Sequence, residues 1–187
     1  MKQKSTIQNG FFFILLAFSS LMGYYYKQVE QNGVKWREGG ETMFYGTFTH
    51  TLDDKGRVIM PSKFREHLGM TFVMNRGFDK CIAVYTNDAW SRVIEETNAM
   101  SSVSSVVRKF KRQLFALASQ STLDKQGRVV VPAELRAQAN LSEQVVFVGM
   151  GWYFEVWDKD EWERYNLPKE DDLTFEQLAE SLDGFVL

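Results

Sequence analysis

The chain has 187 residues, of which 44% are hydrophobic and 14% aromatic, so it can bury a core and is not globally disordered. Its formal net charge is −2 at pH 7, which excludes a protein that binds nucleic acid through bulk positive charge alone. The single cysteine, Cys81, excludes an internal disulfide, and the two histidines cannot form a histidine-rich metal cluster.

The first 42 residues allow two interpretations. Lys2 and Lys4 precede the apolar run 11–26, a pattern typical of a secretory signal or anchor, although a membrane span needs about 20 apolar residues. Alternatively, Glu-Gly-Gly-Glu at 38–41 back-translates to a ribosome-binding sequence just before Met43. We expect the second interpretation, in which residues 1–42 are a non-native extension. The first would make the protein a membrane-tethered or secreted binding module.

Two later segments of the chain repeat each other. Residues 51–65 match residues 122–136 without a gap, at an offset of 71 residues. The shared frame is T-L-D-x-x-G-R-V-φ-φ-P-x-x-φ-R, where φ is an apolar residue. So many identities at fixed spacing indicate an internal duplication.

Each copy predicts the same order of elements. The Asp-x-x-Gly sequence predicts a turn, in which Gly56 or Gly127 adopts positive φ and the Asp side chain accepts hydrogen bonds from nearby amides. A short strand, a short helix, two further strands and a tryptophan-bearing helix follow. The two further strands are predicted at 71–74 and 81–85 in the first copy and at 145–148 and 153–157 in the second.

An amphipathic stretch joins the two copies. Apolar residues recur at helical spacing within Ser104–Ala118, and basic residues take the other side. The basic residues are Arg108, Lys109, Lys111 and Arg112. They fit a solvated helix face, with an auxiliary phosphate contact as the alternative.

The final segment, 167–187, is acidic and carries one Lys against six Asp and Glu residues. Its apolar residues also recur at helical spacing. It fits either a helix that lies on a neighbouring surface or a segment that orders only on binding.

The doubled motif resembles the MraZ family. Met43-Phe-Tyr-Gly, followed by His50-Thr-Leu-Asp-Asp-Lys-Gly-Arg-Val-Ile-Met-Pro, is similar to the start of MraZ proteins. The second copy contributes Leu123-Asp-Lys-Gln-Gly-Arg-Val-Val-Val-Pro, Val146-Phe-Val-Gly and Phe154-Glu-Val-Trp-Asp. The resemblance covers about residues 43–166 and begins at Met43, which agrees with that residue being the native start.

MraZ proteins are similar to the SpoVT/AbrB superfamily, and this resemblance implies the fold. We expect an α+β protein of two tandem AbrB-like swapped-hairpin β-barrel modules with short helices, related by a pseudo-twofold axis within one chain. The expected segments are module 1 at 47–94, a connecting helix at 95–117, module 2 at 118–161 and the acidic tail at 167–187.

The resemblance also implies a function. It predicts a sequence-specific DNA-binding transcriptional regulator that is cytoplasmic and nucleoid-associated, with no enzymatic activity, cofactor, metal or small-molecule substrate. The implied partners are double-stranded DNA, at direct repeats in the promoter of the division and cell-wall gene cluster, and further copies of the chain in a ring such as an octamer.

The Asp-x-x-x-Arg signature of the family falls on Asp53/Arg57 and Asp124/Arg128. The planar guanidinium of arginine can bind guanine O6 and N7, or a phosphate, with two hydrogen bonds. A two-stranded β-ribbon can carry such a side chain into the major groove, while the Asp fixes the turn or orients the Arg. The expected phosphate contacts are Lys55, Lys63 and Lys125.

Each Asp–Arg pair can instead be a salt bridge that only holds its turn. The resemblance favours DNA contact at Arg57 first and leaves Arg128 open, because one module can bind DNA while the other serves the ring. The chain carries no G-x-x-x-x-G-K-[ST], H-E-x-x-H or G-x-S-x-G motif. Cys81 lies in an apolar stretch and is predicted to be a core residue.

Overall fold

The computed structural model describes residues 43–167 and 173–181; both interpretations of residues 1–42 fall outside them. The described strands are β1 Thr47–Thr51, β2 Arg57–Ile59, β3 Thr71–Arg76, β4 Cys81–Thr86, β5 Ser119–Thr122, β6 Arg128–Val130, β7 Gln144–Gly149 and β8 Tyr153–Asp158. The described helices are α1 Ser62–Leu68, α2 Asn87–Ala99, α3 Ser105–Ala116, α4 Ala133–Gln138, α5 Lys159–Tyr165 and α6 Phe175–Glu180. None of these six helices combines the length and the apolar character that a membrane crossing requires.

Six strands form one antiparallel sheet in the order β1-β7-β8-β4-β3-β5. Strand β1 of the first copy pairs with β7 of the second, and β5 of the second copy pairs with β3 of the first. Each copy therefore contributes its first strand to the other, as in a swapped hairpin. The pseudo-twofold axis passes between β4 and β8, the strands that join the two halves. The predicted α+β fold with two tandem modules is confirmed.

The strands of the two Asp-x-x-Gly turns form a separate ribbon. Strands β2 and β6 pair antiparallel, with Val58 opposite Val129. Within the described residues, β1 and β5 are the two edges of the large sheet and do not pair with each other. The strands therefore form an open sheet and a ribbon, and not the closed barrels that the resemblance implied.

One face of the sheet packs against the ribbon, α1 and α4. Its core includes five fully buried phenylalanines, and Val58 and Val129 of the ribbon pack into the same cluster. The phenylalanines are Phe44, Phe64, Phe72, Phe147 and Phe154. Phe44 meets Phe64 and Phe154 edge-on, at centroid distances of 5.3 and 5.0 Å. Burial of each such ring stabilises the fold by roughly 1.5–3 kcal/mol, so this face anchors the ribbon.

The opposite face of the sheet carries the side chains that alternate with that core, including Asn75, Cys81, Ala83, Glu155 and Trp157; we call it the helix-covered face. Helices α2, α3 and α5 contact its strands. Cys81 is fully buried there, which confirms it as a core residue, and burial raises the pKa of its thiol.

Candidate nucleic-acid interface

The first Asp-x-x-Gly turn is held by one carboxylate. Oδ1 of Asp53 accepts hydrogen bonds from the backbone amides of Lys55 (3.0 Å) and Arg57 (2.8 Å). Oδ2 of Asp53 lies 2.7 Å from both Nε and Nη2 of Arg57. Gly56 sits at φ +71° and donates its amide to the Asp53 carbonyl. The motif spacing is thus explained, since one Asp both closes the turn and fixes the Arg side chain.

The second turn repeats this arrangement. Oδ1 of Asp124 accepts from the amides of Gln126 (2.8 Å) and Arg128 (2.9 Å), and Oδ2 accepts from Nε of Arg128 (2.8 Å). Gly127 adopts φ +74°. The two guanidinium groups are therefore held in the same way on two turns that the pseudo-twofold axis relates.

Both ion pairs are stabilised by direct hydrogen bonds. The side-chain hydrogen bond from Arg57 holds the pKa of Asp53 below its usual value, and the same bond raises the pKa of Arg57. The backbone amide of Arg128, followed by its side chain, lowers the pKa of Asp124. Both carboxylates therefore stay charged through the neutral and mildly acidic range.

The register of the ribbon decides where the two arginines point. Arg57 lies opposite Val130, and Ile59 lies opposite Arg128. Side chains alternate along a strand, so these four residues share one face, and Val58 and Val129 occupy the other. Because the two inner valines are each only 2% exposed, the face with the arginines is turned to solvent. We call Arg57, Ile59, Arg128 and Val130 the ribbon surface.

The turns of the two copies support each other. The amide of Met60 donates to the Gly127 carbonyl (2.9 Å), and the amide of Val131 donates to the Gly56 carbonyl (2.8 Å). A Cβ built on Gly56 would lie 2.7 Å from Cζ of Arg136. Glycine is therefore needed in each turn for two reasons. It adopts a positive φ, and it leaves room for an arginine of the other copy.

Two arginines of this site were not assigned from the sequence. The guanidinium of Arg136 lies against the first turn, and that of Arg65 lies against the second. Both are the last residue of the repeated frame, which was the available signal. Their positions could not be assigned because each packs on the other copy, a contact that only the strand exchange creates.

The three candidate lysines lie in different settings. Lys55 and Lys125 are exposed within the two turns, next to the ribbon surface. Lys125 also lines a shallow groove with Arg65, Met70 and Leu123. Lys63 lies on α1, with its Nζ 6.0 Å from the centre of the Phe48 ring. Lys55 and Lys125 therefore lie beside the arginines, whereas Lys63 forms no hydrogen bond or ion pair with either turn among the described residues.

The salt bridge and a DNA contact are compatible in this geometry. A guanidinium has five N–H donors, and Asp53 engages only the Nε and Nη2 side of Arg57. The side chains of Arg57 and Arg128 each remain 31% exposed. The carboxylate can therefore orient each Arg while the Nη1 edge stays available to an acceptor in solution. No group of three or more potential metal ligands occurs among the described residues.

Comparison with known proteins identifies the family to which the chain is similar. The family model described as "MraZ protein, putative antitoxin-like" matches the chain twice, over residues 43–113 and 114–184. A transcriptional regulator MraZ from Caldanaerobacter subterraneus subsp. tengcongensis is 41% identical over 143 residues, which is 76% of this chain and 99% of that protein. The proteins of the same name from Thermoanaerobacter sp. strain X514 and Oenococcus oeni are 40% and 41% identical, over 75% and 78% of this chain and 97% and 100% of their own.

These relatives are named as regulators and not as enzymes, in agreement with the sequence-based expectation. The two tandem matches coincide with the two copies whose strands are exchanged in the sheet. Because both copies match in tandem, and because named members align over nearly their whole length, this chain belongs to the MraZ family of transcriptional regulators.

Proposed function

We propose that the protein regulates transcription by binding double-stranded DNA through its ribbon surface, and that it does so in the cytoplasm at the nucleoid. The observation that carries this proposal is the register of β2 and β6, which turns two Asp-oriented arginines to solvent on one face. The target is the promoter of the division and cell-wall gene cluster, at direct repeats, as the family resemblance implies. Binding there controls the expression of that cluster.

The dimensions and charges of the ribbon surface support this proposal. The major groove of B-DNA admits a two-stranded ribbon. Arg57 and Arg128 occupy diagonal positions across the ribbon, about 7–8 Å apart, so they span roughly two base-pair steps of 3.4 Å. Lys55 and Lys125 lie in the turns at its two ends, where they would meet phosphates on either side of the groove.

Homo-oligomerisation into a ring is part of the same proposal. Helix α3 has a basic side and an apolar stripe but no fully buried residue. Among the described residues none of its four basic side chains pairs with a carboxylate, while the sequence 167–187 is acidic. A basic helix and an acidic segment on one chain favour head-to-tail contacts, and such contacts form a ring when the rotation between neighbouring subunits closes. Light scattering on the purified full chain gives the subunit number, and a monomeric mass would contradict this part.

DNA binding is tested with the full chain and a duplex from the region upstream of its gene. Fluorescence anisotropy should show that Arg57→Ala and Arg128→Ala each weaken binding roughly tenfold to a hundredfold, as expected for one bidentate base contact. The double variant should retain only nonspecific binding. Lys55→Gln and Lys125→Gln should weaken binding to all sequences equally and reduce the salt dependence.

Arg92→Ala is the matched control, because it removes the same charge from an exposed position on α2. Circular dichroism establishes that each variant is folded. Unchanged affinity in a folded Arg57→Ala/Arg128→Ala double variant would overturn the proposed interface.

A further inference from the structure

The ribbon surface also carries two apolar side chains. Ile59 lies opposite Arg128 and Val130 lies opposite Arg57, so the apolar pair occupies one diagonal of this surface and the two arginines occupy the other. Ile59 and Val130 stand at the same position of the repeated frame in the two copies and are 49% and 58% exposed. Single exposed apolar residues are common, but here each of two β-branched side chains lies beside an arginine. Such an arrangement fits a partner that presents apolar groups next to hydrogen-bond acceptors or anionic groups.

The floor of the DNA major groove has this character at A·T pairs. Among the base edges in that groove, only thymine presents a methyl group, at C5, and apolar side chains contact it. Ile and Val have no donor or acceptor, so they cannot recognise the hydrogen-bonding edges of guanine, adenine or cytosine. The neighbouring arginines match guanine or phosphate. A second copy of the chain would not explain why a cation lies beside each apolar side chain.

We propose that Ile59 and Val130 are specificity-determining residues that recognise thymine through its 5-methyl group, at base pairs next to those contacted by the two arginines. This inference rests on the proposed function, because it requires the ribbon surface to lie in the major groove. The pseudo-twofold axis relates the two side chains, so each meets a thymine on a different strand of the duplex. Specificity then comes from both hydrogen bonds and methyl contacts.

The test uses uracil, which differs from thymine only in lacking this methyl group. A duplex is selected from a random library with the wild-type full chain and is then prepared once with thymine and once with uracil. Wild type should bind the uracil duplex about fourfold more weakly for each contacted methyl, as expected for burial of one such group. The Ile59→Ala/Val130→Ala double variant should bind the thymine duplex more weakly and no longer distinguish the two duplexes.

The double variant separates a methyl contact from an effect of uracil on DNA shape, because a shape effect would persist without the two side chains. Ile59→Val/Val130→Ile is the matched control: it keeps branched side chains at both positions and should keep the preference for thymine. Both residues are exposed, and an unchanged melting curve establishes that the variants are folded.

Three outcomes would overturn the inference. In the first, wild type binds both duplexes equally although Arg57→Ala still weakens binding, which leaves the proposed function intact. In the second, the alanine double variant keeps the thymine preference, or changes only the mass of the oligomer, which places the pair in a subunit contact. In the third, the wild-type chain selects no duplex at all, and the proposed function fails with the inference.

Discussion

The two copies are more alike at the ribbon surface than on the helix-covered face. At the ribbon, the Asp carboxylate of each turn accepts the same three hydrogen bonds, and the lengths of equivalent bonds agree within about 0.2 Å. On the helix-covered face, Asn75, Ala83, Glu155 and Val148 form one row across β3, β4, β8 and β7. The axis relates Asn75 to Val148 and Ala83 to Glu155, so both pairs break the symmetry.

The helices over that face also differ between the copies, because α2 has 13 residues and the equivalent α5 has seven. The two copies therefore remain alike where they build one shared surface and differ where each meets its own covering helix. Symmetry at the ribbon suits the proposed contact with a duplex, whose two strands run in opposite directions. Alanine at either turn glycine breaks that symmetry at the ribbon, Asn75→Val restores it in one pair on the helix-covered face, and Glu155→Gln removes a charge that only one copy carries there.

The largest effect is expected from a side chain at the turn glycines. Gly56→Ala and Gly127→Ala should each destabilise the protein by about 1–3 kcal/mol, because alanine resists positive φ. Gly56→Ala should cost more, since its Cβ meets the half-buried Arg136, whereas Arg65 beside Gly127 is exposed and can move into solvent. Urea unfolding measures the difference.

The control for the glycine variants is a mutant cycle. In an Arg136→Ala background the added Cβ meets no guanidinium, so Gly56→Ala should retain only the cost of its backbone conformation. A larger destabilisation from Gly127→Ala than from Gly56→Ala would contradict this account of the two turns.

An intermediate effect on stability is expected at Asn75 and Val148, which are equivalent positions with different residues. Asn75 is fully buried, and neither its Nδ2 nor its Oδ1 has a hydrogen-bond partner among the described residues. Asn75→Val introduces the residue that the second copy has at the equivalent position. It should stabilise the protein by about 1–2 kcal/mol, because it removes a buried polar group without a hydrogen-bond partner. The reverse change, Val148→Asn, is the matched control and should destabilise it. If Asn75→Val lowers the melting temperature, Asn75 is not a packing defect of the isolated chain.

The smallest effect on stability is expected from Glu155→Gln, at the position equivalent to Ala83. Burial raises the pKa of Glu155, although the indole N–H of Trp157 donates to it at 2.9 Å. A raised pKa means that the folded protein binds this proton more tightly than the unfolded chain does. The contribution of Glu155 to stability is therefore fully present below the unfolded pKa, about 4.3, and is lost as pH rises through the folded pKa.

Glu155→Gln should remove that part of the pH dependence and raise the melting temperature by a few degrees at neutral pH. Glu163→Gln, an exposed change on α5, is the control and should leave the curve unaltered. Thermal melts between pH 4 and 8 compare the three proteins. A Glu155→Gln variant that is less stable than wild type at pH 7 would show that the charged carboxylate is needed.

The sequence by itself determined the local structure. The repeated frame predicted both turns, the positive φ at Gly56 and Gly127, and the short strands and helices, because turn chemistry and apolar patterning act over a few residues. The resemblance to the MraZ family then indicated Asp53/Arg57 and Asp124/Arg128 as the candidate pairs. The predicted strand at 71–74 extends to Arg76 in the structure, since pairing with β4, and not intrinsic preference, sets where a strand ends.

The family resemblance implied swapped hairpins, but only the tertiary structure decided which strands are exchanged and which side chains meet. Three features join residues that lie about 45 to 100 positions apart: the exchange of β1 and β5, the approach of Arg65 and Arg136 to the opposite turns, and the shared face of Arg57 and Arg128. A local sequence pattern does not specify which strands pair with each other. Strand pairing between the copies depends on the apolar area that they bury together. This pairing places the two salt-bridged turns on a single surface.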